Sequence, residues 1–172
     1  ELPRFGMRME LHQPYENLTY YGRGPFENYI DRYSGAFIGR YEDKVENQFY
    51  WYIRPQETGN KTDVRWLTLL DSGGLGVKIT GLQPISFSAL HFSPEDLDPG
   101  LTRKLQHTID IVPQKNIFLH VDLKQRGLGG DNSWGMYPHN EYRLLDKKYT
   151  YSYMIELVEK GSDKNDYLNS RK

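Results

Sequence analysis

Met7, Met9 and Leu11 alternate with Arg8, Glu10 and His12, and a period of two is the mark of a half-buried antiparallel strand. Similar alternation, or short apolar runs, predicts strands over 36–41, 49–53, 64–70, 77–80 and 85–89. Turn chemistry separates them at Thr58-Gly59-Asn60, at Asp71-Ser72-Gly73-Gly74 and across Gly81–Pro84. Farther on, Ile117, Leu119, Val121 and Leu123 make an apolar face, while Phe118, His120, Asp122 and Lys124 make a second face expected to stay unpacked. A last strand is expected where Tyr149, Tyr151, Tyr153, Ile155 and Leu157 alternate with Thr150, Ser152, Met154 and Glu156. Ser93-Pro94-Glu95-Asp96-Leu97 reads as a helix start, with a serine cap, proline at the first position and acids in the first turn, soon stopped by Asp98-Pro99-Gly100. No repeat, linker or low-complexity stretch appears. Strands at this spacing predict an all-β fold of packed antiparallel sheets, a β-sandwich, over residues 1–160, followed by a polar tail, 161–172, expected to fray.

Composition strengthens this reading: 14 Tyr, seven Phe and three Trp favour strands, and 16 Gly and nine Pro punctuate turns. A chain of 172 residues fits one domain whose core needs no metal or disulfide staple. Without cysteine there is neither a disulfide nor a thiolate nucleophile or ligand. Lys plus Arg, 22, nearly balance Asp plus Glu, 23, which argues against nucleic acid or an anionic membrane as partner. No apolar run approaches the roughly 20 residues of a membrane-spanning helix. A neutral ligand is compatible with this balance.

The run Gly127-Leu128-Gly129-Gly130-Asp131-Asn132-Ser133-Trp134 sets an indole behind a glycine-rich polar turn. That suits a sugar: a pyranose offers C–H groups to an aromatic plane, and its hydroxyls need partners such as Asp131, Asn132 and Ser133. The competing reading, a core tryptophan at a strand end, starts from the usual burial of this residue. Three further blocks weigh against it: Leu2-Pro3-Arg4-Phe5-Gly6-Met7, Tyr20 to Arg32 with Gly24-Pro25-Phe26-Glu27-Asn28-Tyr29-Ile30-Asp31-Arg32, and Pro55-Gln56-Glu57-Thr58-Gly59-Asn60. In this order, from about Leu2 to about Lys160, the blocks resemble the C-terminal, small-chain-like domain of bacterial β-galactosidases of glycoside hydrolase family 2.

The resemblance implies a galactose mutarotase-like antiparallel supersandwich, incomplete in this chain, with unpaired edges that invite a second copy. It places both catalytic glutamates on a (β/α)₈ barrel elsewhere in the polypeptide, so that this chain holds no catalytic residue and no cofactor, and any Mg or Na belongs to the barrel portion. Trp134 becomes a substrate-binding wall, with Asp131 and Asn132 shaping its loop. Implied partners are the barrel portion, a galactoside and further copies in a homo-oligomer. The family often has aspartate where Asn132 stands, and Gly135-Met136-Tyr137-Pro138-His139 departs from its pattern, which affects rim contacts. A start inside a family block carries the expectation of a chain cut from a longer protein, with the compartment, cytoplasm or periplasm, left open.

Glu27 and Asp31 lie four residues apart beside Arg23 and Arg32. An acid and base pair is one reading; the stronger is that they are ion-paired and ionised. Gly24, Pro25, Glu27, Asn28, Tyr29, Asp31 and Arg32 are then expected to shape a loop that braces the barrel, with Gly22 and Gly24 supplying unusual backbone angles. His12, His91, His107, His120 and His139 show no metal-ligand spacing. The alternatives are an aldose 1-epimerase (mutarotase) pairing His91, His107 or His120 with a carboxylate, and a free-standing sugar-binding module. The glycosylation tripeptides Asn17-Leu18-Thr19 and Asn60-Lys61-Thr62 carry little weight.

Overall fold

Seven strands form in the computed structural model, which describes residues 1–98, 100 and 107–159. They are β1 (Arg4–Leu11), β2 (Asn17–Gly24), β3 (Phe37–Lys44), β4 (Lys61–Leu70), β5 (Gly76–Leu90), β6 (Ile117–Gln125) and β7 (Tyr153–Val158). The expected polar tail and the Pro99 stop lie outside the described residues. All seven strands are joined antiparallel in one sheet, ordered β1-β6-β5-β4-β2-β3 with β7 also on β5, so the predicted all-β class holds and no barrel closes. β5 is the hub: its first half pairs with β7, its second half with β6, and β4 runs along its other side.

One face of the sheet carries the core. Leu18 and Tyr20 of β2, Val64, Leu67 and Leu69 of β4, Ile79, Ile85 and Phe87 of β5, and Leu119 and Val121 of β6 are all buried together. Met7, Met9 and Leu11, the alternating residues of β1, lean on this cluster. Each such side chain removed from water contributes about 1.5–3 kcal/mol. The short helix α1 (Pro94–Leu97) starts as expected, with Ser93 and Asp96 capping one another's backbone.

Four expectations need correction. Residues 49–53 form no strand: the Tyr50 amide donates to Thr58 Oγ1 at 3.0 Å and Thr108 Oγ1 donates to the Tyr52 carbonyl, so side chains replace a ladder partner. Gly81–Pro84 is not a turn but a bulge inside β5, where the register with β4 jumps and the Leu82 amide donates to the Ser152 carbonyl at 3.0 Å. The second face of β6 is buried at Phe118, His120 and Asp122, because β1 and the 55–57 segment bring Arg4 and Glu57 onto it. The last strand is shorter than expected, and Ile155 and Leu157 are exposed while Tyr149 and Tyr151 stack on Phe5.

Candidate functional site

Beyond β6 the chain leaves the sheet as a loop pinned at its neck, where the Arg126 amide donates to the Pro3 carbonyl and the Gly127 amide to the Tyr142 carbonyl, both at 2.8 Å. At its tip Trp134 is 91% exposed, so the core reading of this indole fails. Asn132 Oδ1 accepts the Trp134 amide at 2.9 Å, the self-bonded turn that short polar side chains favour. Asp131 Oδ1 meets His139 Nε2 at 2.7 Å across the loop, and this bond raises the His139 pKa above its ordinary value. Behind the tip, Arg126 and Arg143 lie over the Tyr137 ring, and Arg143 pairs with Glu1 at 2.6 Å.

The Gly24–Arg32 block folds beside this loop. The Glu27 carboxylate accepts from Tyr52 Oη, from Thr58 Oγ1 at 3.1 Å, from the Gly59 amide at 2.7 Å and from Arg32 at 2.7 Å. Burial opposes its ionisation, but these bonds outweigh it and hold the carboxyl below its ordinary range. Asn28 is buried, donating to the Arg23 and Phe26 carbonyls and accepting from the Thr62 amide and hydroxyl. Tyr29 is buried as well, with the Arg32 guanidinium over its ring.

Asp31 joins the two blocks: its Oδ2 accepts the Gly129 amide at 2.7 Å, and a Cβ on Gly127 would stand 2.7 Å from its Cγ. Among the described residues Asp31 does not form the arginine pair expected of it, and Arg23 instead reaches Asp63 at 2.5 Å. Nor do Gly22 and Gly24 supply unusual angles, since neither has positive φ. They are glycines for lack of room: a Cβ would meet Val64 at 2.6 Å and Tyr20 Oη at 2.1 Å.

Sequence reasoning missed a polar layer under β6. Arg4 reaches His120 Nδ1 at 2.8 Å, Gln125 at 2.9 Å, Glu57 at 3.1 Å and Asp122 at 3.3 Å. The available signal was an arginine and a glutamate placed in two separate family blocks, with the charges of β6 between them in space. Burial, with the charges of Arg4 and Arg8, lowers the His120 pKa to about 4, so its imidazole is neutral at neutral pH. Burial raises Asp122 to about 6 against the pull of Arg4. His91 sits elsewhere, bonded to Glu16 and the Asn116 carbonyl, and exposed His107 begins a separate 3₁₀ turn. Asn60, of the second glycosylation tripeptide, is buried with its amide on the Asn28 carbonyl.

The family model described as β-galactosidase small chain matches residues 1–155. Among curated relatives, a β-galactosidase of Priestia megaterium is 38% identical over 157 residues, which cover 91% of this chain and 15% of that protein. A β-galactosidase of Streptococcus thermophilus is 36% identical over 90% of this chain and 15% of its own length. One from Halalkalibacterium halodurans is 35% identical over 84% of this chain and 14% of its own length. The chain thus spans only about one seventh of the relatives it matches.

Proposed function

The chain belongs to the β-galactosidase small-chain family, and we propose that it is the ancillary β-domain of a retaining glycosidase that removes terminal β-D-galactose. The observation that carries this reading is Trp134, 91% exposed on a loop tied through Asp31 to the Gly24–Arg32 block. An indole held in water by a hydrogen-bonded turn is a ready surface for the C–H face of a hexose. Its role is binding, with Asp131 and Asn132 holding the loop that presents it. The Gly24–Arg32 block braces that loop, and it contributes to the joint with the catalytic portion of the polypeptide.

Hydrolysis with retention needs two carboxyl groups about 5–5.5 Å apart across the bond. Glu27 and Asp31 are engaged in holding turns, and a (β/α)₈ barrel takes about 250 residues, more than the 172 present. The chemistry is therefore assigned to another portion of the protein, together with any Mg or Na it uses. Among the described residues no group of three or more His, Asp or Glu side chains is set to hold a metal ion.

The test is steady-state kinetics of the full protein on a nitrophenyl β-galactoside. Stacking of a ring on an aromatic contributes on the order of 1–3 kcal/mol, so Trp134→Ala should raise KM by roughly ten-fold or more, with a smaller effect on kcat. An unchanged KM overturns the wall. Turnover by the purified 172-residue chain alone overturns the division of labour.

A further inference from the structure

The other face of the Gly24–Arg32 block opens on a cleft of about 680 Å³, in the range of sites for small ligands. Trp134 and its loop take no part in its walls. Phe26, Tyr33 and Tyr50 line it and are 74%, 40% and 59% exposed, an aromatic rim in water. The charged residues lining it are Glu27, Asp43, Arg32 and Lys61, two of each sign, so it offers no net attraction to an ionic ligand. Charged and amide groups in its lining equally disfavour a purely apolar one.

Its most telling residue is Lys61, only 2% exposed. The Nζ donates to Gln48 Oε1 at 3.0 Å and to the Gly59 carbonyl at 3.2 Å, both neutral acceptors. Gln48 is turned for this task by Asp43, whose Oδ2 accepts its Nε2 at 2.7 Å. An ammonium has three donors, and the third N–H of Lys61 has no acceptor among the described residues. Arg32, 56% exposed at its side chain, commits one terminal nitrogen to Glu27 and Tyr52, and the rest of its five-donor fork has no acceptor among the described residues.

Flat apolar rings at the rim, spare donors within and no net charge describe one chemical class. We propose that this cleft is a second saccharide site, taking a neutral hexose unit with its C–H face on Phe26 or Tyr50 and a ring hydroxyl oxygen on Lys61. It binds independently of Trp134 and away from the bond being cut, as a hold on a longer β-galactoside or on a second sugar.

The experiment is titration of the protein with isopropyl β-thiogalactoside, a galactoside that resists hydrolysis, and with galactose. Calorimetry reads affinity, and hydrogen-exchange mass spectrometry reads which segments become protected. Protection of residues 26–36 and 47–52 is expected in the parent and undiminished in Trp134→Ala. Phe26→Ala and Tyr50→Ala should weaken that event about ten-fold, the usual worth of one stacked ring. Both side chains are exposed, so the thermal midpoint should not move. Three results overturn the proposal: no protection in these segments, protection that vanishes with Trp134→Ala and survives Phe26→Ala and Tyr50→Ala, or segments already fully protected without sugar because another part of the polypeptide fills the cleft. A failed KM prediction for Trp134 leaves all three readouts untouched, so the two ideas fail separately.

Discussion

Five donors converge on the Glu27 carboxylate, from Tyr29, Tyr52, Thr58, the Gly59 amide and Arg32. Glu27→Gln keeps the shape but turns an amide NH₂ toward groups that themselves donate, so a loss of about 1–3 kcal/mol is expected in chemical denaturation. The folded pKa lies below the ordinary 4.5, so the ionised form contributes stability above the unfolded value and loses it as pH falls through the folded one. The deficit of Glu27→Gln should therefore be full at neutral pH and shrink in acid. An undiminished deficit in acid would contradict the charge-based account. At the exposed end of the scale, the His139 ring should titrate by NMR above 6.5, and Asp131→Asn should bring it back down. Trp134's setting was legible because Gly-Gly-Asp-Asn is local turn chemistry. Arg23's partner was not: Asp63 lies 40 positions away, and only β2 pairing with β4 brings them together.

Elements were legible where the two faces of a strand differ in polarity. β1 follows its alternation, and β4 and β5 carry their apolar residues as expected. β2 was not recognised as a strand, since Tyr20 and Tyr21 in succession hide its period although Leu18, Tyr20, Gly22 and Gly24 alternate inward. The second face of β6 misled for a different reason: its polar residues are covered by Arg4 and Glu57, and no local pattern announces a cover made of distant segments. Gly81 and Pro84 look like turn residues, but a bulge within a strand draws on the same two residue types, proline because it is tolerated where the ladder is interrupted and Gly81 for room rather than for a positive φ. A Cβ on Gly81 would stand 2.4 Å from the Gln83 carbonyl oxygen. Gly81→Ala should thus cost about 1–3 kcal/mol by strain, and hydrogen exchange should quicken at Leu82, whose amide is tied to Ser152. Unaltered exchange there would mean that the bulge has slack.

At the scale of the whole molecule, the polar layer under β6 ties β1, the 55–57 segment and β6 into one unit through Arg4. Two of its members respond to acid with opposite sign. His120 falls from 6.5 to about 4 on folding, so the unfolded chain binds its proton first, and stability drains away as pH drops across that window. Asp122 rises from 3.8 to about 6, so the folded chain binds that proton first, and the same drop in pH adds stability. The two slopes, each at most about 1.4 kcal/mol per pH unit, largely offset one another between about pH 4 and 6, the overlap of the windows. Asp122→Asn should therefore expose the His120 slope, giving a variant that weakens steeply in mild acid. His120→Gln should do the reverse and flatten or invert the acid response. Denaturant midpoints at three pH values across the window suffice for the comparison. Parallel curves for parent and both variants would show that the neighbouring carboxyls of Glu57 and Glu95 set the acid response of this layer instead.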